Sequence, residues 1–357
     1  MKSRMPYPGL RPFTRDENHI YFGCDDQVGD LLEKLNDHRF IAVVGPSGCG
    51  KSSLVKAGLI PGISLGFLDQ RIESWRIAVM RPGTQPMKNL CDALCHPDVF
   101  NSDEGHNIHK RPLMLATLMR GPSCLKTVCQ ENKMPEKTAL LVVVDQFEEI
   151  FRFRREFSID QAEAFVNMMI HSVRQDDIPI YVIFTMRSDF LGDCALFLDL
   201  PQIMNDSQYL TPRLNREQLQ SAIEGPASFF GAEVCPKLVN VLLNDMGHDM
   251  DQLPVLQHAL MRMWVIATDS GLDTLNLDLY EKIGTLRHAL SNHADSVYNH
   301  LEAHHQKIAE ILFKALCQVS SNRQDTRRPV SIADVASIAQ VHARDVIDVV
   351  NQFRAKD

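Results

Sequence analysis

Gly45-Pro46-Ser47-Gly48-Cys49-Gly50-Lys51-Ser52 is the stretch of this sequence with the clearest chemical consequence. A nucleotide triphosphate carries anionic oxygens that need several hydrogen-bond donors at once. A tight loop opening into a helix supplies them as successive backbone N–H groups, helped by the positive end of the helix dipole. Glycine at 45, 48 and 50 allows backbone angles and close approaches that a side chain would block. Lys51 is then placed to reach the β and γ phosphates, and the Ser52 hydroxyl is a hard oxygen donor of the kind Mg²⁺ takes. With Ser53 next in line, residues 45–53 form the expected nucleotide-binding set.

Two further clusters bear charge in the right order. Asp145-Gln146-Phe147-Glu148-Glu149 follows the apolar run 139–144. An aspartate at the carboxyl end of a buried parallel strand lies where open α/β sheets bind ligands, and it can hold the metal through water. Cleavage of the β–γ bond also needs a carboxylate to orient the attacking water and accept its proton. Glu148 and Glu149 are the candidates, and sequence does not choose between them. The alternative for both is an acidic helix start favoured by the helix dipole. Arg187, in Thr185-Met186-Arg187-Ser188-Asp189-Phe190, has a planar fork suited to phosphate oxygens and is expected to detect the γ phosphate; a salt bridge to Asp189 or to another acidic neighbour is its structural alternative.

The elements that must position these groups are legible in the hydrophobic pattern. Strand-like runs at 40–44, 76–80, 139–144 and 178–184 alternate with helical ones. Val28, Leu31, Leu32 and Leu35 mark a helix over 26–37, and Ala162, Phe165, Val166, Met169, Ile170 and Val173 mark another, with Ser158 as its N-cap. This alternation predicts an α/β fold, a parallel sheet between helical layers. From Asn215 onward no strand is expected. Helical patterns at 216–230, 236–246, 254–267, 277–319, 331–340 and 342–353 take over. The expected division is an N-terminal lead and entry helix (1–38), a P-loop NTPase core (39–213), a helical domain (214–270) and a last domain (271–357).

Composition narrows the classes. Of 357 residues, 45% are apolar and 23% charged, as in ordinary globular proteins, and the net charge of −8 provides no global field for nucleic acid or an anionic membrane. The sequence shows neither a membrane span nor a signal-peptide core, so a cytoplasmic protein is expected. Nine cysteines without C-x-x-C pairs fit a reducing compartment. Cys91, Cys95 and His96, the pair Cys124 and Cys129, and His300, His304 and His305 are expected to be helical packing or surface residues rather than metal ligands.

Taken together, Pro6-Tyr7-Pro8-Gly9-Leu10-Arg11-Pro12-Phe13, the phosphate loop, Asp145 to Glu149, Thr185 to Phe190, and Leu253-Pro254-Val255-Leu256-Gln257-His258-Ala259-Leu260 resemble the novel STAND-type NTPases of bacteria from about residue 6 to the end. The resemblance implies an AAA-related ATPase core, a helical domain and a winged-helix-like domain. It further implies a signalling switch: ADP holds a closed form, ATP with Mg²⁺ opens it, and opened subunits assemble as homo-oligomers. A sensor or effector module would be joined C-terminally, because only five residues precede Pro6. Residues 350–354 read as the middle of a winged-helix unit that stops early, as in a fragment or a compact member. By position, Lys51 and Ser52 bind phosphate and Mg²⁺, Asp145 holds the metal, Glu148 or Glu149 supports hydrolysis, Arg187 is the sensor and Pro254 is the nucleotide-lid proline. The family's aromatic-Gly-Arg-acidic entry motif departs here to Phe22-Gly23-Cys24-Asp25. Adenine preference also follows from the resemblance; no guanine-reading N-K-x-D motif follows the sheet. Two alternatives remain: a nucleotide-dependent scaffold without hydrolysis, and a DNA-binding regulator using Arg323, Arg327 and Arg328.

Overall fold

Every residue of Phe40–Gly45 and Thr138–Val144 is buried, which happens when a strand is covered on both faces. In the computed structural model, which describes residues 5–66, 72–100, 110–247, 252–318, 326–327 and 330–354, these are strands β1 and β3 of a five-stranded parallel sheet. The labels follow chain order, with β2 Ser74–Met80, β4 Ile180–Arg187 and β5 Gln208–Leu210, and the spatial order is β2-β3-β4-β1-β5. The sequence reading foresaw four of these. β5 escaped it because three residues at a sheet edge carry too short a pattern; its Gln208, Tyr209 and Leu210 lie opposite Ala42, Val43 and Val44.

Alternation along the strands divides the core into two layers. Phe40, Ala42 and Val44 face one cluster together with Leu140, Val142 and Val144, packed under helices such as Ile159–Arg174. Ile41 and Val43 face the other with Leu141 and Val143, under helix Asp25–Asp37 and the helix following the phosphate loop. The result is an α/β/α sandwich whose strand ends are fixed from both sides. Ser158 caps Ile159–Arg174 by accepting from the Gln161 N–H.

The departed entry motif is built into this unit. Gly23 sits at φ +81°, and a Cβ there would lie 2.2 Å from the Gln218 carbonyl oxygen; one at Gly225 would meet the Phe22 ring at 2.5 Å. Both halves of the contact are main chain or packed ring, so neither yields. Gly23→Ala is therefore expected to cost about 3 kcal/mol of stability, combining left-handed strain with overpacking. Urea unfolding checks this, and a loss below about 1 kcal/mol would contradict the interlock.

Residues 12–226 and 248–253 form one compact unit; residues 1–11, 227–247 and 254–357 form a second. In the second, Tyr7 is fully buried with its ring edge-on to Trp264 at 6.4 Å. The expectation of no strands here needs correction, since Glu233–Val234 pairs in parallel with Thr274–Leu275, and Cys317–Gln318 antiparallel with Thr326–Arg327. Two-residue bridges have no periodicity for a sequence reading to detect. The single helical stretch expected over 277–319 is three helices, Leu277–Lys282, Thr285–His300 and Ala303–Leu316. Gly284, at φ +91°, supplies the first break. Leu301, Ile308, Val335, Val346 and Val349 join the last three helices, Ala303–Leu316, Ile332–Ala339 and Ala343–Arg354, in a separate small core. Arg323 and Arg328 lie outside the described residues. Among those described, no helix is long and apolar enough to cross a membrane.

His258 and His293 are buried together in this unit, Nε2 of the first 3.3 Å from Nδ1 of the second. Burial, reinforced by the nearby Arg262 charge, pushes His258 down from 6.5 to about 4. A depressed folded-state value means that its stabilising contribution is complete above the unfolded pKa of 6.5 and is lost as pH falls toward 4. The expected loss is about 3 kcal/mol over that window. Comparing urea unfolding of the unmutated chain with His258→Gln at several pH values isolates it, and parallel pH profiles would refute it.

Candidate nucleotide site

Strand order explains why three distant sequence clusters meet. β3, β4 and β1 are adjacent and parallel, with Val144 opposite Phe184 and Gly45 opposite Arg187. The residues leaving these strands at their carboxyl ends therefore share one edge of the sheet, where α/β folds place ligands. Gly45 leaves β1, Asp145 leaves β3 and Arg187 ends β4.

The phosphate loop turns on Gly48 at φ +71° and Gly50 at φ +95°, and helix begins at Lys51. Gly45 is closely packed, since a Cβ there would lie 2.7 Å from the Cys49 sulfur and 3.3 Å from Thr211 Cβ, so those side chains would have to shift. Lys51 Nζ donates to the loop's own carbonyls, 2.9 Å to Gly45 and 2.6 Å to Pro46. Ser47 is exposed at the loop tip. The Ser53 hydroxyl accepts from the Phe13 N–H at 3.2 Å, so it anchors the incoming chain. Beyond it, Leu54–Leu59 widens to a π-helical segment, a departure common near functional sites.

Asp145 is buried and each of its oxygens has a different set of partners. Oδ1 accepts from Ser52 Oγ at 2.5 Å and Thr185 Oγ1 at 2.7 Å; Oδ2 accepts from Lys56 Nζ at 2.6 Å and from Arg81 Nε and an Arg81 terminal nitrogen at 3.3 Å. Burial alone would raise its pKa, but the Lys56 charge and the bonds from Lys56, Ser52 and Thr185 hold the carboxyl below its ordinary value. Gln146 next adopts φ +58°, uncommon without glycine, and its N–H donates to Thr185 Oγ1 at 3.0 Å. Phe147 fixes this turn by stacking on Phe184 at 4.0 Å between centroids.

The two glutamates separate here. Glu149 Oε2 accepts from the Gly83 N–H at 2.8 Å and ties down the turn after β2. Glu148 faces the Arg187 N–H at 3.4 Å; burial raises its pKa, and the Lys51 and Arg187 charges partly offset this. Arg187 pairs with Asp189 and lies 5.8 Å from the Phe190 ring centroid, while its buried Nε has no hydrogen-bond partner among the described residues. Pro254 lies in the other compact unit, as the second residue of helix Leu253–Asp269.

Lys56, Arg81 and Thr185 were absent from the sequence-derived site. Lys56 had a usable signal, because it follows Ser52 by four residues and so shares its helix face. Arg81 had none, since only the β2–β3 pairing, with Met80 opposite Val144, brings it to Asp145. Among the described residues, no three His, Cys, Asp or Glu side chains group as a metal site; Cys91, Cys124 and Cys129 lie in the core.

These residues fit a magnesium nucleotide. Ser52 and Asp145 present hard oxygens within hydrogen-bond distance of each other, the glycine-rich loop turns into a helix at Lys51 as phosphate cradles do, and Arg187 Nε, without a partner among the described residues, suits an anion. The profile of the family described as Novel STAND NTPase 1 matches residues 6–356. The chain belongs to this family. It is a STAND-type P-loop NTPase with an AAA+-like fold. Among solved structures it is similar to Aeropyrum pernix ORC2 in its ADPNP-ADP complexes, at 14% identity and TM-score 0.52, covering all (100%) of this chain and 97% of that one. At that identity the likeness concerns the fold. A weaker superposition, TM-score 0.41 and 11% identity, covers 94% of this chain and 84% of Cdc6p from Pyrobaculum aerophilum. A 57-residue stretch is 33% identical to the phosphate import ATP-binding protein PstB 2 of Bacillus licheniformis, covering 14% of this chain and 21% of that protein.

Proposed function

We propose that this STAND NTPase is a slow ATPase switch whose nucleotide state selects between a closed form and an open, self-assembling one. The observation that carries the reading is the meeting of Lys51, Glu148 and Arg187 on one sheet edge, with Glu148 under the influence of both cations. Lys51 and the loop amides would hold the phosphates, and Ser52 and Asp145 the Mg²⁺, which supplies charge neutralisation at the β and γ oxygens when bound. Glu148 is assigned as the base: its burial favours proton uptake from water, while the Glu149 carboxylate is engaged with Gly83. Arg187, exchanging Asp189 for the terminal phosphate, would report whether that group is present.

The complexes named for the ORC2 neighbour, with ADPNP and ADP, favour adenine nucleotides. The three-helix core formed by 303–316, 332–339 and 343–354 supports the winged-helix-like assignment. The expected domain scheme, assembly of ATP-bound copies, a C-terminally joined sensor or effector and a cytoplasmic setting belong to the same proposal. Nucleotide only shifts the population if it binds the two forms unequally. Phosphate release from ATP, followed together with light scattering in ADP and in a non-hydrolysable ATP analogue, tests this. Release indistinguishable from Lys51→Ala, or a particle mass independent of nucleotide, would remove the hydrolytic or the assembly half respectively.

A further inference from the structure

We propose that Lys56 and Arg81 compete with the divalent metal for Asp145 and thereby set how weakly the site takes Mg²⁺. The inference rests on the nucleotide-site reading above and adds two residues to it. Asp145 is the carboxylate on which that reading depends, yet its Oδ2 is already covered by an ammonium at 2.6 Å and a guanidinium at 3.3 Å. One negative charge thus faces two positive ones, leaving the cluster cationic where a divalent ion has to settle. Like charges in a half-buried pocket repel more strongly than in water. The Asp145 side chain is 1% exposed, so solvent does little to screen the cluster from that side.

The two cations differ in how they are held. Lys56 is 20% exposed and stands in the π-helical segment, whereas the Arg81 side chain is 47% exposed at the end of β2 and has solvent to move into. The adjoining turn is fastened independently: Gly83 donates to Glu149, and Asn89 Nδ2 donates to the carbonyls of Arg81 and Pro82. The backbone of Arg81 is therefore kept in place while its guanidinium is at liberty to leave Asp145. Arg81 acts as a gate on the metal and Lys56 as a standing counter-charge, both positioning residues acting through Asp145.

The test is Mn²⁺ binding, read as loss of the free-ion electron paramagnetic resonance signal, on the gel-filtered protein–ADP complex of the unmutated chain, Arg81→Gln and Lys56→Gln. Chromatography of the same samples measures retained ADP. Competition requires each substitution to tighten Mn²⁺ by about tenfold, a gain that damaged packing would not produce. Unchanged or weaker binding in Arg81→Gln, whose exposed side chain the fold can lose, overturns the proposal. Failure of all three proteins to retain ADP would instead overturn the nucleotide-site reading, and this inference with it.

Discussion

Lys51→Ala is expected to lower ATP affinity at least a hundredfold, about 2.7 kcal/mol. The Lys51 ammonium is the cation nearest the loop amides by sequence, and two loop carbonyls hold it within 2.9 Å. Charge-assisted bonds to phosphate are among the stronger polar contacts a protein makes, and alanine provides neither the charge nor the reach. The loop itself should survive. Its turns depend on Gly48 and Gly50, and Gly45 is fixed by its pairing opposite Arg187. Calorimetric titration of ATP, with thermal unfolding as the control for folding, decides the matter. An affinity within threefold of the unmutated protein would mean that phosphate is bound elsewhere.

The second large effect distinguishes the glutamates. Glu148→Gln should reduce phosphate release by about 10²- to 10³-fold while leaving nucleotide binding nearly intact, because the amide keeps the shape and loses the proton acceptor. Glu149→Gln should behave differently. Its carboxylate accepts from Gly83, a bond an amide oxygen can still make, so turnover should fall by no more than about threefold. Single-turnover hydrolysis and chromatography of bound nucleotide give the two readouts: ATP retained by Glu148→Gln and ADP by Glu149→Gln. The reverse pattern would move the base to Glu149 and detach the raised Glu148 pKa from catalysis.

Much of this protein was legible in its residues, for reasons that can be named. The phosphate loop is readable because its chemistry is local: three glycines, a lysine and a serine act within one turn. The strands at 40–45 and 138–144 are readable because burial on both faces forces an uninterrupted apolar run. The three-residue β5 and the two-residue pairs near 234, 275, 317 and 327 were not, since such short elements are defined by their partners. Breaks within 277–319 were hidden because helical periodicity carries across a single glycine.

The sequence by itself determined that a nucleotide-binding loop is present, which residues could serve it, and that its sheet would be parallel. Only the tertiary structure decided which charges share a carboxylate and which glutamate is engaged elsewhere. Lys56 and Arg81 reach Asp145 from positions 89 and 64 residues away along the chain. Glu149 turns to Gly83 across 66. Electrostatic interaction depends on separation in space, and that separation is set by the β2-β3-β4-β1 order of the strands, a property of the folded sheet that no local stretch of residues encodes.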